Sequence, residues 1–226
     1  MARVRNRIEK PYLILCEGID VENVMIGYLN SDALAFDRRF ANDIQTLNFK
    51  GVEELPVYLS NLKKMEGYEI VRQILVLRDA ERDVQKAINM VKKAFRVNGL
   101  PVPDSVHAWI KANDSSERKI ATAFTLLPTC DANPTEGALE DLCLNILKAE
   151  YADDMQKDIQ GFINEVKNKY GSVSAHEHKS RLHTYFSVNE DFISLKIGEA
   201  ALAGAFDWGS EKLKGLKELM AAGFEQ

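Results

Sequence analysis

The sequence contains little cysteine and no long apolar segment. Its 226 residues include three cysteines without C-x-x-C spacing, which argues against a disulfide framework or a structural zinc site. No apolar run is long enough to cross a bilayer, and the basic first ten residues lead into a run too short for a signal peptide. We therefore expect a soluble, cytoplasmic protein with no membrane partner, in which Cys16 and Cys143 are core residues.

The sequence also lacks the common glycine motifs of nucleotide-binding proteins. No G-x-G-x-x-G follows the first apolar run and no G-x-x-x-x-G-K-[ST] occurs, so dinucleotide-binding and P-loop functions are disfavoured. A net charge of −5 argues against a protein that coats nucleic acid through bulk electrostatics. It is compatible with an enzyme that has a local basic groove.

What the sequence does contain is an alternation of short apolar runs with amphipathic segments. The runs are continuous and bounded by charged residues or glycine, which is typical of buried parallel strands. Predicted strands and helices alternate along the first hundred residues, with strands at 12–16, 44–49 and 71–77 and helices at 21–29, 52–65 and 84–95. This βαβαβα order predicts an α/β, Rossmann-like fold with a mainly parallel sheet flanked by helices.

The rest of the chain is predicted to complete the sheet and then to become helical. Two apolar runs, Val106 to Ile110 and Ile120 to Leu127, are expected to be edge strands. From Tyr151 onward the pattern is that of amphipathic helices. We therefore expect residues 8–150 to form the α/β domain and residues 151–226 to form a helical C-terminal extension packed on the same core.

Carboxylates follow two of the predicted strands where each strand ends. Glu17 and Asp20 follow the first strand, and Asp79, Glu81 and Asp83 follow the third. Because ligands of open α/β sheets sit beyond the carboxyl ends of parallel strands, Glu17 and Asp79 are expected to be neighbours. Acids at alternate positions can direct several oxygen ligands at one hard cation such as Mg²⁺ or Mn²⁺. Crowding would raise the pKa of Glu17, as a general acid or base requires.

A simpler explanation exists for the second cluster. Asp79, Glu81 and Asp83 can merely begin a helix, where acidic side chains favour the positive end of the helix dipole. The separate cluster at Glu17 favours a site instead. Arg78 and Arg82 flank the acids and are expected to balance part of their charge.

The two clusters resemble those of the Toprim superfamily, the metal-binding fold of topoisomerases, primases and overcoming-lysogenization-defect nucleases. The resemblance rests on the first strand with Glu17-Gly18 and nearby Asp20, and on the third strand with Asp79-Ala80-Glu81. It implies a Toprim-like fold in which Glu17 is the acid/base and Asp79 and Glu81 hold a divalent metal. The usual second acid of this pattern is aspartate, so Glu81 is a departure for which Asp83 is expected to compensate.

A later part of the chain is similar to a small Toprim-like family of unknown function. The similar residues are Leu127-Pro128, Asn133, Gly137-Ala138-Leu139-Glu140-Asp141, and a basic region with Lys179 and Arg181. This similarity implies that Glu140 and Asp141 supply extra carboxylates, and that Lys179 and Arg181 contact substrate phosphates. Helix-start stabilisation and ordinary surface charge are the competing explanations for these four residues.

Two further groups are weaker candidates. His176, His178 and His183 have the residue type of a transition-metal site, but their spacing matches no standard zinc pattern. The basic residues between positions 3 and 10 are either a phosphate-binding arm or a basic tail.

These observations predict a Mg²⁺- or Mn²⁺-dependent phosphoryl-transfer enzyme, nuclease-like, that acts on nucleic acid or nucleotides. One alternative with the same fold is a non-catalytic metal- or nucleic-acid-binding protein with a regulatory or defence-associated role. Another is a phosphatase or phospho-accepting receiver in which Asp79 is the nucleophile. Receivers pair two acids after the first strand, however, whereas this chain has Glu17 followed by Gly18.

Overall fold

The fold combines one five-stranded sheet with helices on both of its faces. A computed structural model describes residues 7–34, 38–148, 152–171 and 176–224. Arg3 and Arg5 of the predicted N-terminal basic segment, and the predicted boundary between residues 150 and 151, lie outside these ranges, whereas Arg7 and Lys10 lie inside them. The strands in the described ranges are β1 (Tyr12–Glu17), β2 (Ile44–Phe49), β3 (Gln73–Asp79), β4 (Ile110–Asn113) and β5 (Lys119–Leu127).

The helices fall into an N-terminal set that connects the strands and a C-terminal set that follows the sheet. The first set is α1 (Gly18–Asn30), α2 (Arg38–Asn42), α3 (Leu55–Leu62) and α4 (Val84–Val97). The second set is α5 (Leu139–Asn145), α6 (Ala152–Tyr170), α7 (Glu177–Val188), α8 (Ile197–Leu202) and α9 (Lys214–Phe224). In the described parts of the chain, none of these helices has the length and apolar character needed to cross a membrane.

The strand order is β2-β1-β3-β5-β4, and all neighbouring strands are parallel except the β4–β5 pair. The predicted mainly parallel α/β sheet is therefore confirmed. The prediction of two edge strands was wrong in detail. The run Ile120 to Leu127 lies in β5, between β3 and β4, because a continuous apolar run can be buried on both faces. The edge strand next to β5 is the half-polar β4, which begins where the predicted strand from Val106 to Ile110 ends.

Successive residues of each strand enter different hydrophobic cores, as the two-residue repeat of a strand requires. Tyr12, Ile14 and Cys16 pack with α1 and with the C-terminal helices, whereas Leu13 and Leu15 pack with α3 and α4. The prediction that Cys16 and Cys143 are core residues is confirmed, because both are buried free cysteines.

The C-terminal helices pack directly on the sheet and on α1. The Phe224 ring of α9 stacks on Tyr12 of β1 with centroids 5.6 Å apart, and it meets the edge of Trp109 at 5.5 Å. The Gln73 side-chain amide of β3 donates a hydrogen bond to the Gly223 carbonyl at 2.8 Å. The helical extension thus shares its core with β1 and β3.

Connections from β1 and β3 leave in opposite directions across the sheet. The chain passes from β1 to β2 on one side and from β3 toward β5 on the other, so β1 and β3 flank the topological switch point. In open α/β sheets the crevice beyond the carboxyl ends of such strands is the usual ligand position. Glu17 and Asp79 are the last residues of these two strands.

Candidate active site

Glu17 and Asp79 lie next to each other at the carboxyl edge of the sheet. The Asp79 backbone N–H donates a hydrogen bond to Glu17 Oε2 at 3.3 Å. Gly18, which follows Glu17 and begins α1, has φ of +86°, a conformation that glycine adopts without strain. The chain therefore turns from strand to helix directly after the Glu17 carboxylate.

Asp79 sits in an environment that favours its protonated form. Its pKa is raised from 3.8 to about 8, first by burial and then by the negative charges of Glu17, Glu140 and Glu81. A hydrogen bond from the Leu139 backbone N–H to Asp79 Oδ1, at 2.9 Å, acts in the opposite direction but does not outweigh these effects. Three other carboxylates thus act on Asp79 at this edge of the sheet.

Arg78 supplies a positive charge beside this cluster. Its side chain is 3% exposed, and Nε lies 3.6 Å from Glu17 Oε2, where Glu17 is 14% exposed. The guanidinium also donates hydrogen bonds to the backbone carbonyls of Asp79 at 3.1 Å and Ala87 at 3.3 Å. Burial lowers the pKa of Arg78, and the charges of Glu17, Asp79 and Glu81 raise it. The predicted charge-balancing role of Arg78 is matched by this contact with Glu17.

Glu81 is held by the loop that follows β5. Its backbone N–H donates to the Gly137 carbonyl, and the Gly137 N–H donates to the Glu81 carbonyl, both at 2.9 Å. Glu81 has φ of +57°, which is uncommon for a residue with a side chain and occurs preferentially at functional sites. Gly137 has φ of +137°, and a Cβ there would lie 2.8 Å from Asp141 Oδ2. The two-way bridge fixes where the Glu81 side chain leaves the backbone.

Helix α7 brings basic side chains to the far side of the cluster. Lys179 Nζ lies 3.5 Å from Glu140 Oε1, and the Glu140 side chain is 9% exposed. His178 lies 3.9 Å from both Glu140 Oε2 and Asp141 Oδ2. Sequence reasoning grouped His178 with the neighbouring histidines and did not connect it with these acids. The separation of nearly forty residues carries no local signal for the contact.

The other predicted site residues make backbone or surface contacts. Asp83 accepts a hydrogen bond from the Lys86 N–H at 2.8 Å and caps α4. Asp20 accepts one from the Gly198 N–H at 3.3 Å, and Asp141 accepts one from the Ala138 N–H at 2.9 Å. Arg181 donates to Gln156 Oε1 at 3.3 Å, away from the acidic residues that Lys179 contacts.

The donor chemistry of the cluster suits a hard divalent cation. Glu17, Asp79, Glu81 and Glu140 offer only carboxylate oxygens, which Mg²⁺ and Mn²⁺ prefer. The pKa of Asp79 is raised first by burial and then by the negative charges of Glu17, Glu140 and Glu81, and a bound cation would offset both effects. Among the described residues, no three His, Cys, Asp or Glu side chains are already gathered closely enough to hold a metal ion. Binding would therefore require these side chains to rotate toward a common point.

Comparison with known proteins gives one family relationship. A family model described as "Protein of unknown function (DUF3226)" matches residues 11–225. The match includes every residue of the acidic cluster and the helices around it. Neither the curated proteins nor the solved structures contain a match to the chain.

Proposed function

The chain belongs to the DUF3226 family of proteins of unknown function, and we propose that it is a Toprim-like, Mg²⁺- or Mn²⁺-dependent phosphoryl-transfer enzyme. Its substrate would be nucleic acid or a nucleotide, and its reaction nuclease-like. The observation that carries the proposal is the charge environment of Asp79, a partly buried carboxyl group on which the negative charges of Glu17, Glu140 and Glu81 act. Strongly displaced pKa values of this kind cluster at functional sites.

The fold supports the proposal by its placement of these groups. The acidic residues lie beyond the carboxyl ends of β1 and β3, at the switch point where α/β sheets bind ligands. The Glu17-Gly18 and Asp79-Ala80-Glu81 segments resemble Toprim motifs. This resemblance implies a metal site at the same carboxyl edge of the sheet. The inference from geometry and the inference from motifs therefore concern the same side chains.

We assign the roles as follows. Asp79 and Glu81 would hold the cation, with Glu140 as a further carboxylate beside them. The bound cation would neutralise phosphate charge and polarise phosphorus. Glu17 would act as the acid/base, because the Asp79 N–H and the Arg78 guanidinium hold its Oε2 in place. Lys179 would contact a substrate phosphate.

Three of the predicted acids receive a supporting role in this proposal. Asp83, Asp20 and Asp141 each accept a backbone N–H, so each fixes the course of the chain near the cluster. Their carboxylates stabilise the turn or helix start to which they belong. This assignment leaves cation binding to side chains that interact with Asp79.

A second candidate function is non-catalytic binding of metal or nucleic acid, with a regulatory or defence-associated role. The buried Arg78 favours it, because its guanidinium lies 3.6 Å from Glu17 Oε2 and offsets part of the negative charge. A carboxylate held this way is less free to exchange protons with a substrate. The two candidates differ in turnover rather than in fold.

The first experiment measures cation binding and turnover in the same protein samples. Mg²⁺ and Mn²⁺ are titrated by calorimetry into the wild type, Asp79→Asn and Asp43→Asn, and each protein is then incubated with labelled single- and double-stranded DNA and RNA. Asp43 is an exposed aspartate directly before β2, at the opposite edge of the sheet, and it provides the matched control. We expect Asp79→Asn to weaken cation binding by at least about tenfold and to abolish cleavage.

The outcomes separate the candidates. Cation-dependent cleavage by the wild type and Asp43→Asn, but not by Asp79→Asn or Glu17→Gln, supports the enzyme. Cation or nucleic-acid binding without cleavage supports the binding protein. Absence of cation binding at millimolar concentration would overturn the metal-dependent proposal.

A further inference from the structure

A polar groove, separate from the acidic cluster, lies among the C-terminal helices. It is lined by residues of α5, α6, α7 and the 3₁₀ turn Glu211–Leu213. Its volume is about 810 Å³, within the size range of small-molecule sites. Its charged lining consists of Lys157, Arg181 and Lys212 together with a single carboxylate, Asp153. Lys157 is also paired with Asp154 at 2.8 Å, so Arg181 and Lys212 provide most of the positive charge that this lining has left, in a protein whose net charge is −5.

Arg181 has an unused donor in this groove. Its Nε atom is buried and has no hydrogen-bond partner among the described residues. Its described contact is the hydrogen bond from Nη2 to Gln156 Oε1, at 3.3 Å. A buried guanidinium N–H without an acceptor is costly, and native structures rarely retain one without a reason. A rotation of the Arg181 side chain toward the groove would let an acceptor there satisfy this donor.

The groove is separate from the acidic cluster. Lys179 and Arg181 are two positions apart on α7, which places them about 200° apart around the helix. Lys179 approaches Glu140, whereas Arg181 lines the groove with Gln156 of α6. The two basic residues that the sequence placed in one region thus serve different surfaces.

One face of α6 lines one side of the groove, and at one position this face has no side chain. Lys157, Gln160, Gly161 and Asn164 all line the groove from this helix. Gly161 has no side chain, and a Cβ built there would meet no atom within 4 Å. This face therefore leaves space beside the amide and ammonium groups.

We propose that this groove binds a phosphate group through Arg181, with Lys157 and Lys212 supplying further positive charge. A planar guanidinium offers parallel N–H donors that match phosphate oxygens, and a bound phosphate would supply the acceptor that Nε lacks among the described residues. The phosphate belongs either to a free phosphate compound or to a nucleic-acid backbone. This site does not depend on the proposed function, since it requires no cation and no residue of the acidic cluster.

The test uses inorganic pyrophosphate and a single-stranded DNA oligonucleotide, each titrated by calorimetry into the full chain in the presence of EDTA. Removal of divalent cations keeps the acidic cluster from contributing. Arg181→Gln removes the positive charge and the parallel N–H donors of the guanidinium. We expect it to raise the Kd for the bound probe by at least about tenfold. Melting temperatures of all variants report whether the fold is intact.

A matched pair of variants tests the groove without altering Arg181. Gly161→Glu adds a negative charge to the open space on this face of α6, and Gly161→Gln adds nearly the same volume without charge. We expect Gly161→Glu to weaken binding by about tenfold through repulsion of the phosphate, and Gly161→Gln to change it by less than about threefold.

The two probes identify the source of the phosphate. If pyrophosphate binds, and both Arg181→Gln and Gly161→Glu weaken its binding, the groove is a site for free phosphate compounds. If the oligonucleotide binds, the same two variants weaken its binding, and pyrophosphate does not bind, the groove is a site for the phosphates of a nucleic-acid backbone. Failure of both probes to bind the wild type, or equal binding by all variants, overturns the proposal. Asp79→Asn is expected to bind either probe like the wild type, so a failed catalytic proposal would leave this result unchanged.

Discussion

At the scale of single residues, two carboxylates at the ends of neighbouring strands have different partners. Glu17 faces the buried Arg78 guanidinium, whereas Asp79 is acted on by the negative charges of Glu17, Glu81 and Glu140 and accepts a backbone N–H. Burial and like charge favour the protonated form of Asp79. Such a difference between adjacent acids is a common basis for separate roles in one site.

The pKa of Asp79 predicts a pH-dependent stability. The unfolded Asp79 releases its proton near pH 3.8 and the folded one near pH 8, so its contribution to the free energy of unfolding falls as pH rises between these values. Asp79→Asn cannot ionise and keeps an acceptor for the Leu139 N–H. We expect the variant to match the wild type near pH 4 and to exceed it by on the order of 5 kcal/mol at pH 8, because the pKa shift covers about four units at ~1.4 kcal/mol each.

Urea unfolding at pH 4, 6 and 8 in EDTA measures this difference. A stability gap that is the same at all three pH values would contradict the assigned environment of Asp79. Added Mg²⁺ should stabilise the wild type and not the variant, because only the wild type would bind it tightly. A variant that is more stable but inactive is the behaviour expected at a strained functional site.

At the scale of elements, the short loop between β3 and α4 has two different tasks. The loop starts directly after Asp79, and its first part presents Glu81 to the cluster, where the bridge to Gly137 fixes the Glu81 backbone. Its last residue, Asp83, caps α4 through the Lys86 N–H. The helix-start explanation therefore holds for Asp83, whereas Asp79 and Glu81 belong to the proposed site.

The cap predicts a difference between two substitutions of Asp83. Asp83→Ala should lower the free energy of unfolding by about 1 kcal/mol, whereas Asp83→Asn should leave it nearly unchanged, because asparagine caps helices as well as aspartate does. Chemical denaturation of both variants measures how much the cap contributes to the free energy of unfolding. Mg²⁺ titration of Asp83→Asn then tests the ligand role: unchanged affinity supports the assignment to capping, and a loss would restore Asp83 as a metal ligand.

At the scale of the whole molecule, the C-terminal helices and the sheet form one continuous core. Phe224 is fully buried between Tyr12 and Trp109, and the Trp109 indole N–H donates to the Leu219 carbonyl at 2.8 Å. Asp20 at the start of α1 accepts the Gly198 N–H of α8. These contacts connect the last helix of the chain to its first strand and helix.

This shared core predicts cooperative unfolding. Phe224→Ala should lower the free energy of unfolding by about 3–5 kcal/mol, because it removes a buried ring and leaves a cavity beside the sheet. The far-UV circular dichroism signal and tryptophan fluorescence should report one transition in both proteins. A small effect, or two separate transitions, would mean that the helical extension unfolds on its own.

Much of the framework followed from sequence alone. The short apolar runs identified β1, β2 and β3, and the alternation with amphipathic segments predicted their parallel order. Because parallel strands end at one edge, the positions of Glu17 and Asp79 in the sequence were enough to predict that they meet. These inferences depend on local periodicity and on general rules of sheet topology, which a single sequence carries.

Only the tertiary structure decided what surrounds those two residues. Similarity to a small family suggests Glu140 and Lys179 as site residues, but they lie about sixty and about a hundred positions after Asp79, so only the packing of α5 and α7 brings them to the cluster. The same packing turns Arg181 away into a separate groove. The sequence determined the carboxylates at the strand ends because strand formation is local, whereas the charge balance of the site and the existence of this groove arise from long-range packing that no local pattern records.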